Sequence, residues 1–478
     1  MIGAKFEEPK SESAPNSAAI DSFSGTRHAP TRIGVADLKQ SPSRISESRR
    51  RGHALDSGGR PDERPTRVLV IGINYAPEQT GSAPYTAGLA EMIADFADVE
   101  VIAGAPHYPS WRIEPEYRWR LRRYEQRNGV DVRHFRHFVP RRQSAFGRAV
   151  WDGSFVANVS ISRPRRVPDV VIASTPSLGG AVLGARFAQR YRIPFGVVIQ
   201  DLVGQAARQT GISGGVAVAD AVGRVEGWTL RRADAVAVVT DAYREQLAFY
   251  RVDEARVRLL PNWTHIPLPR EKPTSVRADL GWRDDEFVAL HAGNMGLKQD
   301  LGNVIEAART LVGRSLEGGG RVRFVLCGDG NQRQILYDRA AGLGNVSFID
   351  PVSSERYPDL LRAADVLLVN ERASLRDMAL PSKLTSYFAA RRPVIAAVSS
   401  VGACAQEIAR THGAAQIVAP GQPAALARAI EELSSDAERS AWMAAAGARF
   451  ADAHLSRATA ARRVRELVAD LLACRPKD

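Results

Sequence analysis

Short apolar runs alternate with longer helical stretches along most of this chain, and the alternation restarts once. The first run is Arg67 to Ile73, RVLVIGI. It is too uniformly apolar for a strand with one wet face and reads as a strand buried on both sides. Similar runs follow at Val99 to Ile102, Val132 to Phe138, Val170 to Ala173, Phe195 to Gln200 and Ala235 to Val239. Helical stretches separate them, such as Pro84 to Phe96, Leu178 to Arg190 and Val222 to Ala233. After Pro261-Asn262-Trp263-Thr264-His265 and a proline-rich linker the pattern begins again. Its strands are Phe287 to Ala292, Arg321 to Cys327, Val346 to Ile349, Asp365 to Val369, Val394 to Ala397 and Ala415 to Val418. Helices include Leu301 to Leu311, Asn331 to Ala341 and Pro423 to Leu433. Such alternation predicts an α/β fold with parallel sheets covered on both faces. Two tandem Rossmann-like domains are expected, at 66–265 and 266–450, with a cleft between them. Residues 451–478 would supply a final helix, about Ser456 to Ala473.

Composition narrows the setting. Residues 1–65 are rich in Ser, Arg, Pro and Gly and poor in large apolar groups, so a disordered extension is expected. The cysteines, Cys327, Cys404 and Cys474, follow no metal spacing, which fits a reducing compartment. No stretch of about 18 apolar residues predicts a spanning helix, and the N-terminus lacks a signal-peptide apolar region. The formal net charge is +12. Much of the excess lies between Trp111 and Arg166, where fourteen arginines meet five acids. Aromatics are interleaved there: Trp111, Tyr117, Trp119, Tyr124, Phe135, Phe138, Phe146, Trp151 and Phe155. The mixture suits docking on an anionic membrane surface, and a solvated basic face with core aromatics is the alternative. No nucleic-acid-binding motif accompanies the charge, so no nucleic-acid partner is expected.

Ligand chemistry in open α/β sheets collects at the carboxyl ends of the strands. Five loops there carry suitable groups. In Asn74 to Ser82, Gly81 lets backbone approach a phosphate closely, yet the loop does not match the dinucleotide glycine fingerprint. In Gln200-Asp201-Leu202 a carboxylate follows the strand directly. It can orient or deprotonate a hydroxyl, or cap a helix. In His291 to Gln299, Gly293 and Gly296 bracket a turn and Lys298 can neutralise a diphosphate. Cys327-Gly328-Asp329-Gly330 is a sharp turn that reads as structural. Pro381-Ser382-Lys383 opens a helix whose free N–H groups attract anions; an ordinary crossover with a surface lysine is the bland reading.

In this order, these loops resemble the retaining glycosyltransferases of family 4, which have the GT-B fold. The match runs over roughly residues 67 to 470 and rests on Tyr75 to Gly81, Gly104 to Pro109, Gln200 to Leu202, Pro261 to Trp263, Gly293 to Gln299, Gly328 to Gly330 and Pro381 to Leu384. The subgroup it looks most like makes colanic acid and related exopolysaccharides. The resemblance implies a nucleotide-diphospho-sugar donor, a substrate rather than a cofactor, and no essential metal. Its diphosphate would lie near Gly81, Asn294, Lys298 and Lys383, and its base near Asp350-Pro351-Val352. Gly293, Gly328, Pro381, Ser382 and Ser386 complete the expected donor contacts, and Asp201, Lys298 and Lys383 the catalytic set. The acceptor, a polyprenyl-linked or other glycan, would sit in the N-terminal domain. The protein would be cytoplasmic, peripheral at the inner face of the plasma membrane, and the final helix would cross back to the N-terminal domain.

Two departures stand out. Many family members carry arginine at Asn294, and two glutamates at the positions of Met378 and Ser386, the second of which holds the donor ribose. Asp377 or Glu371 are the candidates to replace them. Two other readings remain: a catalytically silent scaffold in polysaccharide assembly, favoured by the missing glutamates, and a nucleotide-sugar 2-epimerase using Asp201, His107 and His291.

Overall fold

The computed structural model describes residues 31–33, 64–140, 144–202, 204, 215–264, 275–317, 319–373 and 383–474. Two sheets organise it. The N-terminal sheet holds β2 (Arg67–Gly72), β3 (Asp98–Gly104), β4 (Arg122–Arg127), β5 (Val130–Phe135), β6 (Val170–Ser174), β7 (Phe195–Ile199), β8 (Ala235–Val238) and β9 (Val257–Leu259), in the order β4-β5-β3-β2-β6-β7-β8-β9. The C-terminal sheet holds β10 (Glu286–Ala292), β11 (Arg321–Cys327), β12 (Val346–Ile349), β13 (Val366–Asn370), β14 (Val394–Ala397) and β15 (Ala415–Val418), in the order β12-β11-β10-β13-β14-β15. A three-residue strand from the N-terminal extension, β1 (Thr31–Ile33), pairs in parallel with β12 at its edge. The rest of 1–63 lies outside the described residues.

Every pairing is parallel except β4 with β5. Because helices cover both faces, alternate residues of each strand enter different cores. Leu69 and Ile71 point to one side of the N-terminal sheet, Val68 and Val70 to the other. In β10, Val288 and Leu290 join one cluster and Ala289 the opposite one. Burying each such Val, Leu or Ile contributes about 1.5–3 kcal/mol.

The topology also locates the ligand region. In each sheet the chain reverses its direction of travel beside the first strand, between β2 and β6 and between β10 and β13. Neighbouring loops diverge there and leave a crevice at the carboxyl ends.

The strands expected from apolar runs are all present. Missed were β4, β9 and β1. β4 reads RRYEQR, with no aliphatic residue, because an edge strand needs none. Its hairpin signal was Asn128-Gly129, both at positive φ, 49° and 82°. Also missed was the helix Ala145–Ser160, whose Trp151, Phe155 and Val159 are buried at helical spacing. The basic aromatic segment is therefore divided: Tyr117, Phe135, Trp151 and Phe155 are core, while Trp119, Tyr124, Phe138 and Phe146 are exposed.

The last helix, Arg457–Ala473, packs against Ala83–Ala94 of the first half. It buries Val464, Leu467, Val468 and Leu471 in the core of the N-terminal sheet. Arg457 to Glu91 at 3.2 Å and Arg258 to Asp470 at 2.7 Å frame it, exposed pairs that contribute at most about 1 kcal/mol each. No described helix is long and apolar enough to cross a membrane.

Candidate functional site: two crevices facing one another

At the C-terminal switch point the backbone itself forms the floor. Gly293 follows β10 at φ 139° and Gly328 follows β11 at φ 137°. The Gly293 N–H donates to the Cys327 carbonyl at 2.9 Å, and the Met295 N–H to the Asp329 carbonyl at 2.8 Å. A β-carbon on Gly328 would stand 1.9 Å from the Gly293 oxygen, so only glycine lets these loops touch. The turn at Gly328 is thus an element of loop packing. The exposed Asn294 and Lys298 follow on the same loop. The Arg372 N–H donates to the Lys298 carbonyl at 3.0 Å and ties this loop to the one after β13.

Lys383 opens the helix Lys383–Ala389 and reaches back into the crevice. Its Nζ is 3.5 Å from His291 Nε2 and would be 3.6 Å from a β-carbon on Gly293. Burial pushes the ammonium down to about 8, opposed by Glu371. Glu371, just past β13, is pushed up to about 7 by burial, with Lys383 opposing. His291 is fully buried and held well below its ordinary range by burial and by Lys383, so it is neutral. Tyr387 locks this helix to β10: its hydroxyl accepts from the Ala292 N–H at 2.9 Å. Ser386 is buried beside it. Val352 packs at the edge of the C-terminal core. Pro381, Ser382, Asp377 and Met378 lie outside the described residues.

The N-terminal crevice is walled by side chains instead. A cavity of about 270 Å³ opens there, lined among others by Gly81, Tyr108, Trp111, Trp151, Gln200 and Asp201. Asp201 sits two residues beyond β7. Thr175 fixes its backbone, accepting from the Gln200 N–H at 2.9 Å and donating to the Asp201 carbonyl at 3.2 Å. Burial raises the Asp201 carboxyl above its ordinary range, and Lys298, the Leu202 N–H and Arg148 pull it back. Partial loss of hydration where it approaches the crevice lowers Lys298 in turn, and Asp201 opposes that. The two groups attract each other across the domain boundary. Ser354 Oγ also donates across it to Gln79 Oε1 at 3.2 Å.

Gly81 and Asp201 therefore share one crevice, and Gly293, Asn294, Lys298 and Lys383 the other. Thr175, Tyr387 and the buried Glu78 were not singled out from the sequence. Nothing in their neighbours distinguishes a positioning side chain from a loop or helix residue.

Comparison with known proteins bears on the family and the fold. Residues 80–263 match the model of a glycosyl transferase 4-like domain, and residues 274–450 that of glycosyl transferases group 1. A protein of Escherichia coli (strain K12) named as a colanic acid biosynthesis glycosyl transferase, WcaI, is 31% identical over 338 residues, 68% of this chain and 81% of the relative. The alpha-galactosylglucosyldiacylglycerol synthase of Streptococcus pneumoniae is 26% identical over 144 residues, 29% of this chain and 38% of that protein. Among solved structures, HepE of Anabaena bound to UDP superposes with a TM-score of 0.62 at 15% identity, over 84% of this chain and 100% of that one. The sucrose-phosphate synthase of Thermosynechococcus elongatus gives 0.64 at 18%, over 85% and 99%. The family models, the identity to WcaI and the paired parallel sheets make this chain a member of the family 4 glycosyltransferases with the GT-B fold.

Proposed function

We propose that the protein is a retaining glycosyltransferase that moves a sugar from a nucleotide-diphospho-sugar to a hydroxyl of a glycan or lipid-linked glycan in exopolysaccharide or capsule assembly. The observation that carries this reading is Lys383 reaching Gly293 at one switch point, with Lys298 of the same loop as Gly293 attracted to Asp201 at the other. The donor diphosphate lies over Gly293, with Lys383 and Lys298 balancing the charge that grows as the diphosphate departs. The base extends toward Val352. Asp201 orients the acceptor hydroxyl, and a departing phosphate oxygen takes its proton from the same face, so the anomeric configuration is retained. Glu371 is the candidate for the ribose contact that Ser386 cannot make as a charged group.

WcaI is named for colanic acid biosynthesis, and HepE was solved with UDP-glucose, which supports a polysaccharide product and a nucleotide-sugar donor. The exposed Trp119, Tyr124, Phe138 and Phe146 among arginines support docking of the acceptor domain on an anionic membrane surface. The test is a thermal-shift screen against UDP, GDP, ADP and dTDP, in the wild type and in Lys383→Ala. A ligand of the folded state raises Tm. One nucleotide raising Tm, with the effect lost in the variant, supports the reading. No response to any of them refutes it, and binding without turnover of the matching donors moves the protein to the scaffold class.

A further inference from the structure

One wall of the N-terminal cavity depends on a carboxylate that does not line it. The Glu78 side chain is 1% exposed. Its Oε1 accepts from the backbone N–H of His107 at 2.7 Å and of Tyr108 at 2.9 Å, and its Oε2 accepts from Asn74 Nδ2 at 2.9 Å. It thereby joins the loop after β2 to the loop after β3. A buried carboxylate is costly unless its oxygens are satisfied, and here they are satisfied by loop backbone. His107 continues the network. The Trp151 indole N–H donates to His107 Nε2 at 3.2 Å, which leaves the proton on Nδ1, facing the Ala105 carbonyl at 3.0 Å. Burial lowers His107 below its ordinary range, so the ring is neutral.

What this network holds is aromatic. The Tyr108 ring covers Gly81, within 3.2 Å of where a β-carbon would stand. Trp111 meets the rings of His107 and Tyr108 edge-on, at centroid distances of 5.7 and 6.2 Å. Trp111 also sits at φ 52°, left-handed backbone that a bulky residue adopts only when its surroundings impose it. Polar groups of Gln200, Asp201 and Asn262 line the same cavity. Its volume falls just below the roughly 300–1,000 Å³ of sites for drug-sized ligands, a scale that suits a single ring.

We propose that Glu78 is a positioning residue for the acceptor: it holds the His107–Trp111 loop so that Tyr108 and Trp111, backed by the buried Trp151, form a platform on which one pyranose ring of the acceptor stacks beside Asp201. The proposal rests on the transferase reading and deepens its acceptor side. An aromatic face takes the C–H face of a sugar, while its edge hydroxyls need the polar partners that Asp201 and its neighbours supply.

The test uses the full chain labelled with 5-fluorotryptophan and followed by fluorine NMR, with the Trp111 signal assigned through Trp111→Leu. The probes are octyl β-D-glucopyranoside and octyl β-D-galactopyranoside below their micelle concentrations. A saturable shift of the Trp111 signal with at least one of them is expected. Glu78→Leu should weaken it about tenfold or more, because loop misplacement acts steeply on a contact site. Glu78→Gln, which keeps an oxygen to accept the two N–H groups, should stay within about threefold of wild type. The nucleotide response in the thermal-shift screen should be unchanged in both. Loss of that response in the wild type would refute the donor reading while leaving the glycoside signal to be judged alone. Absence of a saturable Trp111 response in the wild type, or unchanged glycoside binding in Glu78→Leu, overturns the proposal. If Glu78→Leu does not fold, Trp151→Phe keeps the ring and removes the donor to His107; about threefold weaker glycoside binding supports the proposal, and unchanged binding overturns it.

Discussion

The two sheets present the same topological opening and furnish it in opposite ways. Beside β10 and β13 the crevice is glycine and cation: Gly293 and Gly328 bring backbone to backbone, and Lys383 supplies charge. Beside β2 and β6 it is aromatic and hydrogen-bonded, with Glu78 and Thr175 hidden behind the surface they shape. On the proposed function, backbone and charge would hold the diphosphate common to nucleotide-diphospho-sugars, and the side-chain walls the shape of the acceptor, so that general and particular recognition fall in different halves.

The division can be broken most severely at Gly328. Gly328→Ala drives a β-carbon into the Gly293 carbonyl at a positive φ, so a loss of more than about 4 kcal/mol is expected, read as a lower denaturation midpoint. No comparable side-chain clash exists at the exposed Gly81, where a β-carbon meets only the Tyr108 ring. Next comes Asp201→Asn. It keeps the shape of the acceptor crevice and removes the charge, so turnover should fall about 100-fold with nucleotide affinity unchanged in initial-rate kinetics.

The pH dependence of donor binding sharpens the comparison further. Lys383 titrates at about 8 in the unliganded protein instead of near 10.5, and only its cationic form attracts a diphosphate. Nucleotide affinity should therefore fall as pH rises through 8, by at most about tenfold per pH unit, in isothermal titrations. Glycoside binding on the N-terminal side should not follow that curve. The smallest effect is expected from Tyr387→Phe, which leaves the Ala292 N–H without its acceptor and should cost about 1–3 kcal/mol of stability by chemical denaturation.

The contrast also explains what the sequence disclosed. Parallel strands buried on both faces announce themselves as apolar runs, so β2, β7, β10 and β13 were legible, and their ends pointed to Asp201, Gly293 and Lys383. Gly328 was legible as a turn, although the loop it must touch was not. β4 was hidden because an exposed edge strand can be built from RRYEQR, and its Asn128-Gly129 turn was the one available signal. The helix Ala145–Ser160 was masked by the arginines around it, even though Trp151, Phe155 and Val159 keep helical spacing. Glu78 was beyond reach: a glutamate in a polar loop gives no sign that it will be buried against the backbone of a loop some thirty residues away.

The division between the two crevices is tested most directly by titrating the stabilising nucleotide into wild type, Lys383→Ala and Asp201→Asn under identical conditions. Loss of about 100-fold in affinity for Lys383→Ala is expected, with Asp201→Asn within about threefold of wild type although both have lost turnover. Equal losses in the two variants, or tight binding by Lys383→Ala, would mean that the nucleotide is not held at the C-terminal switch point.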